Sequence, residues 1–569
     1  MDNTKQVKIS LWPVSNVFDY GTLNVSLSSR VDLLNLKRII VYAKTKGSAG
    51  FPILSYLVWR HIACSHLQLP ENLAWLYFDT YALLCDIGAE RRYRYDQQLL
   101  KISRNGEIAS FLERHKDSRK VDCLKFVVLL YLQRYNLVGR KSAVYSMEEW
   151  PSTSKTSESK SYRRKARNEE SHLQFVNLHL EEIMYVLSAT DAKESLHEPE
   201  WSVECVAALG FIIEGSIDKN RSIQPLEDIL LSSSAIKEEC GFKSTTQSFN
   251  SKLLVRFLKA HLKLNPFIGE NCLTYGVILN NERISTTIDT NRKRSVMTAN
   301  GNFASKSRKL VIISHLYRTT VIESSNHYED AEVKLHRCSS SFIYILSPLK
   351  CVSITKCKNT TIALAAVETT VILDSCENVR ITTACRRFVI SNSTNTICHL
   401  LVNYNPILLS GNKNIQFAPF NTNFPNLDNI LRQAGLIFGK NCWNSPIIPS
   451  LTNCSNVTNI EKSKDNVYSL LPPESFYLLN VPVMTTAILD SPLNDAVFAL
   501  PVEYQNELDR RSRSLDEWKY ITQKAELQEN EKKILQNFVE NQFQTWLKRT
   551  GTKQEIDQLL DLSTSAPTL

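Results

Sequence analysis

Thiols and carboxylates are the side chains between Cys338 and Phe420 whose types and spacing could do chemistry. Cys338, Cys357 and Cys376 stand 19 residues apart. Closely spaced thiolates hold zinc or cycle as a dithiol, but the 14 cysteines include no Cys-x-x-Cys pair. Apolar settings such as those of Cys64, Cys85, Cys123 and Cys205 read instead as buried thiols in a reduced compartment. Glu368, Asp374 and Glu377 supply the carboxylates. A polysaccharide-acting enzyme needs such groups clustered in a cleft. These fall at dissimilar points of the local period, which sets that chemistry aside. His61 and His66 lie in an aromatic-rich helical segment with no second pair of ligands in view, so they read as structural. No metal or cofactor is expected.

What the cysteines share is a period. Two residues after Cys357 and Cys376 come Asn359 and Asn378, and the register continues as Ser393-Thr-Asn395 and Asn412-Lys-Asn414. The asparagines step by 19, 17 and 19 residues. Between these marks lie short Ile/Val/Thr-rich runs, including Phe342–Leu346, Val352–Thr355, Thr361–Leu364, Val371–Leu373 and Phe388–Ile390. Short strands at a period near 18, stacked rung on rung, make a parallel β-helix. One rung cannot bury its inward side chains alone, whereas stacked rungs pair their backbones and share a core. A small thiol packs inward at the corner, and asparagine tolerates a left-handed corner and can bond the next asparagine.

The elements around this coil read as helices. Residues 1–270 form an α-helical region, with helices expected from Tyr56, from Leu73 to Leu84, over Val121–Tyr135 and Leu173–Leu187, and over Val203–Ile217 and Phe249–Leu264. Val121–Tyr135 is apolar nearly all round and so should be central. Residues 151–170 read as a flexible basic loop and 271–303 as a linker. After the coil at 304–445 comes a loop and strand extension at 446–502, with a strand over Tyr468–Val483. Charged helices fill 503–563. The second puts Ile534, Leu535, Phe538, Val539, Phe543, Trp546 and Leu547 on one face and ends at Gly551. These helices could form a hairpin, a packing arm or a partner site, with packing on the body the ordinary role.

With 569 residues, 43% hydrophobic and 22% charged, the chain reads as globular and multidomain. A net charge of +9 is mild and unconcentrated, so nucleic acid is not an expected partner. The first residues contain no apolar leader core, and runs such as Cys205–Ile213 are too short to span a bilayer. An intracellular, soluble protein is therefore expected.

Particular residues tie the coil to a known family. Ala384-Cys385-Arg386-Arg387-Phe388, Ile415-Gln-Phe-Ala-Pro-Phe420 and Asn441-Cys-Trp-Asn444 resemble the C-CAP/cofactor C-like domain. That domain occurs in tubulin-folding cofactor C, in the related retinitis-pigmentosa GTPase activator and in cyclase-associated proteins. Trp59-Arg-His-Ile-Ala-Cys64, Leu73-Ala-Trp-Leu-Tyr-Phe78, His336-Arg-Cys338 and Leu470-Leu-Pro-Pro473 are similar to a narrower family of TBCC domain-containing proteins, over nearly the whole chain. The resemblance implies an α+β multidomain chain: a right-handed parallel β-helix preceded by an α-helical region and followed by C-terminal helices.

The resemblance also implies a test of activity. Active relatives supply an arginine finger to a GTPase, tubulin or an Arf-like protein, which stabilises the transferring phosphoryl group. The position of that arginine, four residues after the Ala-Cys cysteine, is Val389 here. The family glutamine position is Arg386 and the acid position is Leu409. Arg387 would share a strand face with Val389, but roughly 7 Å along it at ~3.3 Å per residue. In-line chemistry tolerates about 1 Å of misplacement poorly. No catalytic residue is therefore expected, and Arg386 and Arg387 read as a structural or partner-binding pair.

The family resemblance implies a non-enzymatic cytoskeletal scaffold. It would act in the cytoplasm at the centrosome or basal body and the spindle poles, in microtubule organisation, Golgi positioning and cell shape. Its expected partners are cytoskeletal or centrosomal proteins, with tubulin or a small GTPase among the candidates. The competing reading is a GTPase-activating protein for tubulin or an Arf-like GTPase, acting through Arg386 or Arg387.

Overall fold

In the computed structural model the described residues are 9–46 (without 24 and 26–29), 50–85, 119–135, 160–188, 200–217, 223–266, 272–276, 295–297, 309–323, 328–424, 426–436, 441–449, 467–479, 481, 500–525 and 528–550. The chain divides into two compact units, one of Met1–Arg91, Gln97–Leu310 and Pro449–Ser455, the other of Arg92–Asp96, Val311–Ile448 and Asn456–Leu569.

The first unit contains β1 (Ile9–Pro13), α1 (Ser15–Gly21), α2 (Leu33–Lys46), β2 (Ile53–Ser55), α3 (Tyr56–His61), α4 (Glu71–Leu84), β3 (Lys120–Asp122), α5 (Cys123–Tyr135) and α6 (Lys160–Leu187). It continues with β4 (Glu200–Ser202), α7 (Val203–Leu209), β5 (Ile213–Ile217), β6 (Gln224–Pro225), α8 (Leu226–Leu230), α9 (Ser234–Glu239), β7 (Phe242–Lys243), β8 (Ser248–Asn250) and α10 (Ser251–His261). β9 (Cys272–Gly276) and β10 (Ser295–Met297) pair antiparallel within the span read as a linker.

The expected central helix is α5, buried from Phe126 through Gln133. Trp59 and Phe126 meet edge to face at 4.8 Å, and the Trp59 indole donates to the Ala74 carbonyl at 2.8 Å. A π-turn at Ile62–His66 follows α3. It brings the His61 and His66 rings within 5.4 Å of each other, at the surface.

The region is more than helical, because short antiparallel sheets β1-β5-β6, β2-β3 and β4-β8-β7 stitch the helices together. Val203–Ile217 is not one helix: α7 ends at Leu209 and Ile213–Ile217 is β5. Gly215 explains the strand. It faces Leu11 across the ladder, and a Cβ there would lie 2.6 Å from Leu11 Cδ2 and from the Ser10 carbonyl. α6 begins at Lys160, so residues 160–170 of the expected basic loop are helical, in keeping with the helix-forming Lys, Arg and Ala there. Residues 151–159 lie outside the described residues.

The second unit is built on a parallel β-solenoid of about six turns. Its strands are β11 (Leu310–Ser314), β12 (Thr320–Glu323), β13 (Ala331–His336), β14 (Phe342–Thr355), β15 (Lys358–Asp374), β16 (Glu377–Ser391), β17 (Thr394–Val402), β18 (Ile407–Leu408) and β19 (Lys413–Pro419). Inward columns run through them, such as Ile343-Ile362-Ile381-Cys398-Phe417 and Ile354-Leu373-Ile390-Leu408. All of these side chains are fully buried, each stabilising by roughly 1.5–3 kcal/mol.

The corners set the period. Asn359, Asn378, Asn395 and Asn414 have φ of 48°, 51°, 50° and 51°. Asn378 Nδ2 donates to Asn359 Oδ1 at 2.7 Å, and Asn414 Nδ2 to Asn395 Oδ1 at 2.8 Å. A second left-handed position precedes each by three residues: Lys356, Ser375, Asn392 and Gly411. The inward residue lies between: Cys357, Cys376, Ser393 or Asn412. Gly411 lies close against the preceding corner: a Cβ there would come within 2.3 Å of Asn392 Oδ1 and 3.1 Å of its Cα.

α11 (Leu427–Gln433) lies on the outside of the coil. Leu427 and Leu431 pack there with Leu401 and with Ala365, Ala366 and Ala384, whose small side chains let the helix approach. β20 (Tyr468–Leu470) adds to β19. It stops at Pro472-Pro473, short of the expected Val483, because proline has no N–H to extend a ladder. The first turns of α12 (Val502–Lys524) are fastened to this extension. Tyr504 Oη donates to the Leu471 carbonyl at 2.6 Å and Arg511 Nη1 to the Phe476 carbonyl at 2.6 Å. Trp443 is buried and meets Tyr504 edge to face at 5.8 Å. α13 (Glu529–Thr550) does not pair along α12, so no helical hairpin forms among the described residues. Gly551 lies outside them.

Candidate functional site

Strand register places the site first. On the outer face of the coil a column runs Lys334-Ser353-Ile372-Val389-Ile407. The Ile447 bridge to Ile407 extends it by one step. Lys334, Ser353 and Ile372 are half-buried, while Val389 and Ile407 are covered. Val389, at the family arginine position, is 2% exposed. Its neighbours above and below are isoleucines, so the column there is continuous apolar packing.

Arg387 precedes Val389 by two residues in β16 and pairs with Thr370 of β15. It is 3% exposed, and Arg386 is 7% exposed. Both guanidinium side chains are thus inside the fold rather than in an open groove. Leu409, at the family acid position, is also buried, its N–H bonded to the Ile390 carbonyl at 2.9 Å. Its own carbonyl accepts from Asn412 Nδ2 at 2.9 Å. That interior asparagine also supplies Ile390, so it closes the corner backbone.

The arginine pair falls where the coil changes length. β15 and β16 are offset by 19 residues at Leu364–Thr383, by 18 at Val367–Cys385 and by 17 at Thr370–Arg387. The bend at Cys385–Arg387 therefore removes the residues that shorten the asparagine step to 17. A side chain at this irregular bend is not interchangeable with one on the regular strand at Val389.

The carboxylates do not meet. Glu368 is buried against Lys350 Nζ at 3.0 Å. Asp374 accepts from Ser391 Oγ at 2.6 Å, Ser375 Oγ at 2.9 Å and Asn392 Nδ2 at 3.0 Å, a network internal to the corner. Glu377 is exposed and pairs with Lys358 at 2.8 Å. The thiols are equally withdrawn. Hydrogen bonding to Cys338 pulls Cys357 down, but its bond to Cys376 and its burial outweigh this and leave it up at about 12. Burial alone pushes Cys385 and Cys398 up. Among the described residues no group of three or more His, Cys, Asp or Glu could hold a metal ion. None of the described helices is long and apolar enough to cross a membrane.

Sequence reading missed a polar seam beside the α11 face. Thr382 donates to Asn421 Oδ1 at 3.0 Å, and Asn421 Nδ2 donates to the Tyr477 carbonyl at 2.9 Å. His399 lies next to it in the register, with Nδ1 3.3 Å from the Pro419 carbonyl. Desolvation pulls His399 down to about 4, so it is held neutral. These residues hold the 476–479 segment on the coil. Only the polar types at otherwise apolar positions could have signalled them.

The family model for tubulin binding cofactor C matches residues 330–447, which contain β13–β19 and α11. Curated relatives match far beyond that domain. The TBCC domain-containing protein 1 of Bos taurus is 33% identical over 566 residues, covering 98% of each chain. That of Homo sapiens is likewise 33% identical, again with 98% of each chain covered. That of Danio rerio is 32% identical over 97% of this chain and 93% of its own.

Proposed function

Because the chain belongs to the TBCC domain-containing protein 1 family, we propose that it serves the tubulin cytoskeleton as a non-enzymatic scaffold. The solenoid would be the docking element: its stacked rungs hold outward side chains rigidly along a repeating face. The supporting observation is the outer column at Val389. A valine between Ile372 and Ile407 cannot present a positive charge to a phosphoryl group. A displaced finger at Arg386 or Arg387 would first have to leave a buried setting, and neither lies on the regular strand position. The scaffold would work in the cytoplasm at the centrosome and spindle poles, with cytoskeletal or centrosomal proteins as partners and effects on Golgi positioning and cell shape.

Two measurements test this. A fluorescently tagged full chain should focus at the centrosome in interphase and at the poles in mitosis, and a diffuse distribution would count against the scaffold. The purified chain should leave GTP turnover by tubulin and by Arf-like GTPases unchanged. Stimulation abolished by Arg387→Ala would establish the activator instead.

A further inference from the structure

α13 exposes a run of large apolar side chains. Ile534 is 69% exposed, Phe538 61% and Trp546 46%, with Val539 and Phe543 also exposed. Among the described side chains of this helix Leu547 alone is buried, at 4%. The expectation that the apolar face packs on the body therefore fails for most of the helix. An exposed stripe of this kind needs an occupant.

The side chains that share this side of the helix say what kind. Glu531, Leu535, Phe538, Gln542, Thr545 and Arg549 follow alternating steps of four and three residues and so line one side of the helix, with a charge at each end, while Val539 and Phe543 lie further round it. Ile534 and Trp546 flank it. The seam carries an acid at its N-terminal end and a base at its C-terminal end. Acids and bases in end turns suit the helix dipole wherever they sit around the axis, but Glu531 and Arg549 fall in the stripe itself. Glu531 accepts the Gln528 N–H at 3.0 Å, which anchors its carboxylate at that end.

We propose that α13 pairs antiparallel with α13 of a second copy of this chain, about a two-fold axis near Glu540. In that register Glu531 faces Arg549 of the second copy, Ile534 faces Trp546, and Phe538 faces Gln542, each contact made twice. A parallel pair would instead set Glu531 against Glu531 and Arg549 against Arg549. The charges at the seam ends thus select both the partner and its direction. At 1.5 Å per residue the seam between them is roughly 27 Å long, enough for a helix-pair interface.

The test is sedimentation equilibrium of the full chain from about 1 to 20 μM. The wild type should be a dimer, and Phe538→Glu should weaken it at least about tenfold. Glu531→Arg and Arg549→Glu should each weaken it about tenfold, and the two combined should restore it to within about threefold. These side chains lie on an exposed helix, and circular dichroism of each variant should match the wild type. A monomeric wild type overturns the proposal, including one in which another protein covers the stripe. A dimer that the double exchange fails to restore overturns it equally.

Discussion

The side-chain amide of Asn378 donates to Asn359 Oδ1 at 2.7 Å, one full coil away, while both residues hold left-handed backbone. The same side chain therefore supplies a permitted corner and a tie to the next corner. Asn378→Val should destabilise the chain by ~1–3 kcal/mol, because a β-branched residue is strained at positive φ and the amide bond is lost. Asn378→Gly keeps the backbone freedom and should cost less. Calorimetric melting of the two variants checks the order; equal losses would refute the corner's role.

Val389→Arg restores the residue type of the family's active members at a site that is 2% exposed. The charge would have to be buried between Ile372 and Ile407. The expected result is a loss of about 3 kcal/mol or more in denaturant unfolding, with no gain in GTP turnover by tubulin. A stable variant that stimulates turnover would show that the covered face opens.

His399 gives the chain a pH dependence. Its folded pKa is about 4, below the unfolded value of 6.5. The unfolded chain therefore takes up a proton first as pH falls, and the favourable contribution present above pH 6.5 is lost down to about pH 4. At pH 5 the loss relative to pH 7.5 should be ~2 kcal/mol. Urea titrations of wild type and His399→Gln at both values should show that increment in the wild type alone.

Cys357, held up at about 12 inside the coil, should resist alkylation by iodoacetamide at pH 8. Cys64, half-buried beside the surface histidines of the π-turn, should react before Cys357. Peptide mass mapping before and after denaturation reads both. Native-state labelling of Cys357 at the rate of Cys64 would mean that the coil opens on the timescale of the reaction.

The coil was legible because its periodicity is carried by single residue types. Cys357 and Cys376 point inward, Asn359 and Asn378 turn the corner, and each role permits few alternatives. The upstream corner position was hidden because Arg337, Lys356, Ser375 and Asn392 share a backbone conformation but no chemistry. β5 was missed because its fate depends on Gly215 meeting Leu11, some 200 residues earlier in the chain. Tertiary pairing there overrides local helix periodicity. The substitutions at Val389 and Leu409 were readable in sequence, but the burial of Arg386 and Arg387 was not. Two adjacent arginines suggest solvent, and only the bend explains how the coil encloses them.

The changing offset at the bend bears on which length changes the chain can survive. Between β14 and β15 the pairing slips from 19 to 18 residues and returns to 19 within one circuit. Between β16 and its successors it grows from 17 at Glu377–Thr394 through 18 at Val389–Ile407. Single-residue insertions or deletions near 365–369 or 384–387 can thus be absorbed before the next asparagine arrives. The same edit between Ser375 and Asn378 would carry the following strand out of phase and turn its inward side chains to water. Natural or engineered length variants of this chain should therefore collect at the bend and spare the asparagine corner.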